Sequence, residues 1–296
     1  MFIRRLPKFE YHAPTSLGEA LDHLSKHADK AKVLAGGTDL LVSMKKREIL
    51  PEHLINLKGI QELKHIHYDK KRGLEIGGLV TLREIERSAI VRERYSALWD
   101  AANVMAAPQI RSLATIGGNL CSAVPSADTA PPLVALGASV TLTGKNGQRT
   151  LLVEDFFSGP EMTALSPDEI LSHVSIPNPP KNSGGAYLKL MRRNAMDLAL
   201  VGVAASLTLD GKKRICKEAR IALGAVAPTP MRALGAEKLF LNKEPDENLA
   251  MEAGKIAAEE ARPISDIRAS KGYRTEMVRV LTKRAVMAAF ESAKEG

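Results

Sequence analysis

Two pairs of consecutive glycines, each of which follows an apolar run, limit the folds that this chain can adopt. Gly36 and Gly37 stand in VLAGGTDLL, and Gly117 and Gly118 stand in ATIGGNL. Glycine has no Cβ, so other atoms can come close to its main chain, and it readily adopts a positive φ. Successive backbone N–H groups in such a segment can bind a phosphate. Each pair therefore predicts either a surface turn or a cradle for an anionic group.

The surrounding pattern excludes two common nucleotide-binding architectures. The chain contains neither G-x-G-x-x-G nor G-x-x-x-x-G-K-[ST], so the Rossmann and P-loop interpretations fail. The predicted order is a small α/β segment, a larger α+β segment, an antiparallel meander and C-terminal helices. Because strands and helices do not alternate regularly, we do not expect a doubly wound sheet.

Apolar periodicity and turn residues predict the individual elements. A helix is expected over 15–28, hairpins over 63–79 and 138–153, and a domain boundary in NPPKNSGG, residues 178–185. The Asn146-Gly147 dipeptide predicts the turn of the second hairpin. The remaining elements are a three-stranded meander and three helices, expected over 186–193, 199–210, 216–226, 232–241, 246–261 and 275–293.

Cysteine and charge content narrow the class of protein. The only cysteines are Cys121 and Cys216, which is too few for a protein-held iron–sulfur cluster and fits a reducing compartment. We expect a cytoplasmic protein, since there is no apolar leader and no long apolar run. The net charge of +8 comes with basic clusters that are either solvated turns or a surface that attracts an anionic cofactor or an acidic partner face, and no motif indicates nucleic-acid binding.

Five segments, taken in order, carry a specific resemblance. VLAGGTDLL, TIGGNLCSAVPSAD, YLKLMRR, LGAVAPTPMRA and DIRASKGYR span nearly the whole chain. Together they resemble the FAD-binding medium subunit of the molybdenum-containing hydroxylases. That family includes the carbon monoxide dehydrogenase medium subunit and the FAD domain of xanthine dehydrogenase.

The resemblance implies an α+β fold of the vanillyl-alcohol-oxidase/p-cresol-methylhydroxylase type. Two FAD-binding subdomains, 1–57 and 58–177, would precede a C-terminal domain, 178–296, with a three-stranded antiparallel sheet and helices. FAD would be bound in extended form and without a covalent bond.

The resemblance also implies which residues bind the cofactor. For several of them a purely structural role remains an open alternative. Asp128 would accept a hydrogen bond from a cofactor hydroxyl, or it would cap the helix that follows. Leu171 would pack on the flavin, or it would be an ordinary core residue. Lys189 would approach the cofactor, or it would lie on the surface. Met105 stands where relatives have a larger side chain. The two loops around the diphosphate would be formed by Val33, Leu34, Ala35, Gly36, Gly37, Thr38, Asp39 and Leu40, and by Thr115, Ile116, Gly117, Gly118 and Asn119.

The family mechanism implies a subunit of a larger complex with no catalytic residue or metal ligand of its own. Substrate would be oxidised at molybdopterin in a large subunit, and electrons would pass through [2Fe–2S] clusters in a small subunit. FAD would deliver them to an external acceptor, and the assembly would be a dimer of heterotrimers. Two alternatives remain open: a self-sufficient FAD-dependent oxidase or reductase of the same fold, and a basic binding module without flavin.

Overall fold

A small parallel sheet opens the chain in the computed structural model, which describes residues 5–193 and 195–295. Its strands lie in the order β1-β3-β2 and pair in parallel. Helix α1 connects the first two strands, and Ser16 caps it by accepting a hydrogen bond from the backbone N–H of Glu19. The elements are β1 (Glu10–His12), α1 (Leu17–His27), β2 (Ala31–Leu34), α2 (Leu40–Lys46) and β3 (His53–Asn56).

A five-stranded antiparallel sheet forms the centre of the next segment, in the order β4-β5-β10-β6-β7. A separate two-stranded ribbon contains β8 and β9. The strands are β4 (Ile66–Asp69), β5 (Gly73–Gly77), β6 (Ser139–Gly144), β7 (Gly147–Leu152), β8 (Phe157–Gly159), β9 (Met162–Thr163) and β10 (Ile170–Ile176). The helices are α3 (Leu82–Arg87), α4 (Ala89–Arg94), α5 (Ser96–Val104), α6 (Pro108–Arg111), α7 (Ile116–Ser122), α8 (Ala130–Ala135) and α9 (Val153–Phe156).

Both predicted hairpins of this segment form, with one change at a turn. The β6–β7 hairpin pairs Gly144 with Gly147, so its two turn residues are Lys145 and Asn146. The prediction placed the turn one residue later, at Asn146-Gly147. Gly147 instead ends the turn with a φ of 137°, an angle that favours glycine over any other residue.

The C-terminal sheet contains four antiparallel strands in sequence order. The three predicted meander strands are present, and the prediction of a three-stranded sheet is wrong by one short strand. Met231 and Arg232 pair with Leu223 and Ala222, which a two-residue strand is too short to reveal in the sequence. The elements are β11 (Ser183–Leu190), β12 (Val201–Leu209), β13 (Cys216–Gly224), β14 (Met231–Arg232), α10 (Leu234–Lys238), α11 (Glu247–Glu260) and α12 (Lys271–Glu295).

The C-terminal sheet separates two hydrophobic cores, because its strands alternate faces. On β11, Tyr187 belongs to the core shared with the five-stranded sheet, whereas Ala186 belongs to the core beneath the C-terminal helices. On β12, Ala204 and Ala205 divide in the same way. The C-terminal sheet therefore lies between the five-stranded sheet and the C-terminal helices. Each helix among the described residues is too short or too polar to span a membrane.

Candidate functional site

The first glycine segment leaves β2 and presents a row of free backbone donors. Among the residues that the structure describes, none accepts a hydrogen bond from the backbone N–H of Gly36, Gly37, Thr38 or Asp39. Gly37 has a φ of 82°, and its neighbours on both sides are only half-buried. A left-handed residue within a row of unpaired N–H groups is typical of an anion-binding nest. This segment can therefore hold a phosphate.

The second glycine segment forms the first turn of α7 and uses its own donors. The backbone N–H of Ile116 donates to the carbonyl of Val80 at 3.0 Å, and the N–H of Gly117 donates to the carbonyl of Gly78 at 3.0 Å. Thr115 caps the helix, its hydroxyl accepting a hydrogen bond from the N–H of Gly118 at 3.0 Å. These N–H groups are therefore already paired within the protein, and contacts of Thr115–Asn119 with a cofactor remain a prediction.

The structure nevertheless brings the two glycine segments together. A Cβ on Gly36 would overlap the carbonyl group of Leu113, just before α7. A Cβ on Gly118 would lie 3.9 Å from the Cβ of Ala35. The hydroxyl of Ser122 donates to the carboxylate of Asp39 at 2.8 Å and joins the far end of α7 to the nest. The helix therefore buttresses the nest.

Gly117 is small for a structural reason. Its added Cβ would lie 2.7 Å from the carbonyl oxygen of Gly78, and the backbone of Gly78 in turn lies against that of Leu171. A substitution at Gly117 would push α7 away from the five-stranded sheet. A side chain at Gly117 would therefore collide first with the backbone of Gly78.

Asp128, Lys189 and Tyr187 form a buried polar cluster next to α7. The Asp128 carboxylate accepts hydrogen bonds from the Tyr187 hydroxyl and from the Lys189 ammonium group, each at 2.8 Å. The side chains of Lys189 and Asp128 are only 1% and 5% exposed. The next residue, Thr129, connects this cluster to α7, because its hydroxyl donates a hydrogen bond to the Asn119 side chain.

This cluster answers two of the open alternatives. Lys189 is not a surface lysine, and Asp128 does not cap α8, whose capping residue is Thr129. Burial raises the pKa of the Asp128 carboxyl, and the Lys189 ammonium opposes that rise. Burial, reinforced by Asp128, raises the pKa of the Tyr187 hydroxyl well above its ordinary value. Tyr187 therefore remains a hydrogen-bond donor at neutral pH.

Leu171 and Met105 occupy less polar surroundings. Leu171 lies on β10 and is buried in the main core, in agreement with the alternative that it is an ordinary core residue. Met105 packs against the same core at the end of α5, and its carbonyl accepts a hydrogen bond from Arg111 at 2.8 Å. Contacts of either side chain with a cofactor remain predictions.

Two residues of this region escaped the sequence reasoning although signals for them were present. Tyr187 lies two positions before Lys189 on one strand, so a period of two already places both on one face. Gly78 belongs to a third glycine pair, Gly77-Gly78, whose main chain meets α7. Burial raises the pKa of the Cys121 thiol to about 12, which disfavours its nucleophilic thiolate form.

Surface depressions elsewhere do not compete with this region. One depression of about 490 Å³ is lined by Glu86, Arg87, Arg92, Glu93 and Trp99, among others. A second, of about 320 Å³, surrounds the β6–β7 turn. Neither is lined by the free N–H row or by the Asp128 cluster, so we assign the candidate site to the nest and α7.

Comparison with known proteins assigns two family profiles to the chain. Residues 7–179 match a family described as "FAD binding domain in molybdopterin dehydrogenase". Residues 186–289 match a family described as "CO dehydrogenase flavoprotein C-terminal domain".

Relatives with known names cover almost the whole chain. It is 36% identical over 284 residues to the carbon monoxide dehydrogenase medium chain of Hydrogenophaga pseudoflava, covering 96% of this chain and 98% of that protein. It is 32% identical to the xanthine dehydrogenase FAD-binding subunit of Escherichia coli O157:H7, covering 96% of each. A solved structure of the Hydrogenophaga pseudoflava carbon monoxide dehydrogenase matches with a TM-score of 0.93 at 36% identity, covering 97% of this chain and 99% of that one.

Proposed function

The chain belongs to the FAD-binding family of the molybdopterin dehydrogenases, and on that ground we propose that it is the flavin-carrying subunit of a molybdenum hydroxylase. Such an oxidoreductase subunit carries electrons and leaves substrate oxidation to its partners. The proposal agrees with the expected α+β fold, which the solved relative shares over nearly its full length.

The observation that carries the proposal is the free N–H row at Gly36–Asp39. Four successive unpaired donors suit a diphosphate, and the buttress formed by α7 holds their backbone in place. When bound, the flavin accepts electrons and passes them on, and the protein supplies position and electrostatic surroundings. The remaining site predictions stand as part of this proposal: Val33 to Leu40, Met105, Thr115 to Asn119, Asp128, Leu171 and Lys189.

We further propose that Asp128 and Lys189, besides their cofactor contacts, act together as an ion pair. Their charges neutralise each other across 2.8 Å, so a cofactor nearby would meet a hydrogen-bonded pair. The Tyr187 hydroxyl donates a hydrogen bond to the other oxygen of the Asp128 carboxylate. The pair fixes the position of β11 relative to the segment that follows α7.

The other redox centres are proposed to lie in partner chains. Two cysteines cannot hold a pair of [2Fe–2S] clusters, so a small cluster-bearing subunit and a large molybdopterin subunit are required. We propose a dimer of heterotrimers that delivers electrons to an external acceptor in the cytoplasm. The two cysteines, both unpaired, support a reducing compartment.

The domain division also belongs to the proposal. We divide the chain at 57/58 and 177/178, giving two FAD-binding subdomains and a C-terminal domain. The parallel, five-stranded and four-stranded sheets each lie within one of these three segments, which supports the division.

Flavin binding by the purified, flavin-free chain tests the proposal. We expect one FAD per chain, measured by flavin fluorescence, with much weaker binding of riboflavin, which lacks the diphosphate and adenosine. Inorganic pyrophosphate should compete with FAD, because it would occupy the same N–H row. A folded chain that binds no FAD, or binds riboflavin equally well, contradicts the proposal.

A glycine substitution with a matched control tests the nest itself. Gly37→Ala places a side chain at a φ of 82°, while Gly147→Ala places one at a φ of 137° in the β6–β7 turn. Both variants carry backbone strain of about 1–3 kcal/mol, because each places a side chain at a φ that residues other than glycine rarely adopt. Only Gly37→Ala should weaken FAD binding, by at least about tenfold. Equal FAD affinity in the two variants would place the diphosphate elsewhere.

The alternative of a self-sufficient flavin enzyme makes a different prediction. The isolated chain would oxidise or reduce an organic substrate with partner subunits absent, whereas the proposed subunit requires the assembled complex. The basic binding module predicts salt-dependent binding of nucleic acid and no flavin. Comparing isolated chain and reconstituted complex in one assay separates these outcomes.

A further inference from the structure

Three histidines from three separate elements converge at one end of the parallel sheet, away from the glycine segments. His12 ends β1, His53 begins β3 and His27 ends α1. One ring nitrogen from each lies within 4.8 Å of the others. His12 Nε2 and His53 Nδ1 are 3.1 Å apart. We propose that these three imidazoles bind a divalent transition metal ion, and we argue the site for Zn²⁺.

Backbone pairing explains why the ligands meet. Glu10 lies beside His53 in the parallel β1–β3 register, and His12, two residues along, shares a face with Glu10. His23 and His27 stand one helical turn apart, so α1 presents both rings on one side. The rings of His27 and His53 stack with centroids 3.6 Å apart. The site is therefore assembled by rigid elements and is not confined to one loop.

The donor set suits zinc. Tetrahedral zinc with Zn–N bonds of about 2.0–2.1 Å places its ligand atoms roughly 3.3 Å from one another. The His12–His53 separation already has this size, and the His27 ring has to turn off its stack on His53 to bring in the third nitrogen. The Glu10 carboxylate lies 3.3 Å from His53 Nδ1 and 4.0 Å from His12 Nε2, so it is in reach of the fourth position.

Zinc titration of the untagged full chain, with an indicator dye in competition, tests the inference. We expect one tightly bound Zn²⁺ and, with Co²⁺ as the probe, the intense visible absorption of tetrahedral coordination. His53→Gln and His27→Gln should each weaken zinc binding by at least about tenfold. The control is His67→Gln, an exposed histidine on β4 that should leave zinc affinity unchanged.

Flavin content, measured in the same samples, separates this inference from the proposed function. His53 pairs with Ala31 at the start of β2, whereas the glycine segment follows the other end of that strand. We therefore expect the histidine variants to lose zinc and keep FAD. Absence of tight zinc binding in the wild-type chain overturns the inference. Equal zinc affinity in the wild type and in both cluster variants overturns it as well.

Discussion

At the residue scale, the Asp128–Lys189 ion pair makes stability depend on two single residues. Both side chains are almost fully buried, and neither has water to replace a lost partner. Breaking a buried ion pair by removing one member costs more than the pair contributes, because the remaining charge is left uncompensated. The pair therefore behaves as a unit, and single substitutions within it should be costly.

We predict that Lys189→Met lowers the free energy of unfolding by about 3–5 kcal/mol, because it leaves the buried Asp128 carboxylate without its cationic partner. The double variant Asp128→Asn with Lys189→Met should recover most of that loss, since it removes both charges. Urea denaturation followed by circular dichroism measures the effect. Lys255→Met is the control, because Lys255 pairs with Glu252 on an exposed helix face. An equal loss of unfolding free energy in Lys189→Met and Lys255→Met would contradict a buried pair.

At the scale of elements, glycines set how closely helices approach their neighbours. Gly254 on α11 lies against the backbone of Arg279 on α12, so an added Cβ would overlap the Arg279 carbonyl oxygen. Gly272, near the start of α12, has no neighbouring atom within 4 Å of its Cβ position among the described residues. The two helical glycines therefore have opposite requirements.

The same substitution should consequently have opposite signs at these two positions. Gly254→Ala is expected to destabilise the protein by about 1–3 kcal/mol, because α11 and α12 must separate. Gly272→Ala should leave stability unchanged or raise it by up to about 1 kcal/mol, since alanine is the better helix former. Thermal and urea unfolding of the two variants measure this, and equal effects would refute the close α11–α12 contact.

At the scale of the whole molecule, Arg274 ties distant parts of the C-terminal half together. Its buried guanidinium donates to the carbonyl oxygens of Leu200 and Ala225 and to the carboxylate of Asp266. Asp266 is also held by Arg268. The segment DIRASKGYR, which the family resemblance singled out, thus has a structural role: it anchors the long last helix to the sheet.

This anchor predicts a pH dependence. Hydrogen bonds from the Arg268 guanidinium, and to a smaller extent from Arg274, hold the pKa of the Asp266 carboxyl well below its usual value. A carboxyl whose pKa is lower in the folded state contributes stability above its unfolded pKa of about 3.9, and that contribution is lost as the pH falls further. Asp266→Asn should therefore be less stable than the wild type at pH 7, with the difference shrinking below about pH 3.9. A difference that stays constant over this range would contradict the assignment.

Local signals predicted much of this molecule. The first helix, the two hairpins and the meander follow from periodicity and turn residues, and the structure contains each of them. The ordered segments also led to the correct family. Errors arose where a local pattern allowed two outcomes: a glycine pair begins a helix as readily as a loop, and α7 shows the former.

Pairings between distant residues could be decided only by the tertiary structure. Asp128 and Lys189 are 61 residues apart, and His12 and His53 are 41 apart. The sequence by itself determined the family, the order of elements and the presence of two glycine segments. Only the packing of the sheets decided that one segment keeps free N–H groups and the other does not. The physical reason is that spacing encodes which face a side chain occupies, whereas the partner across that face comes from another part of the chain.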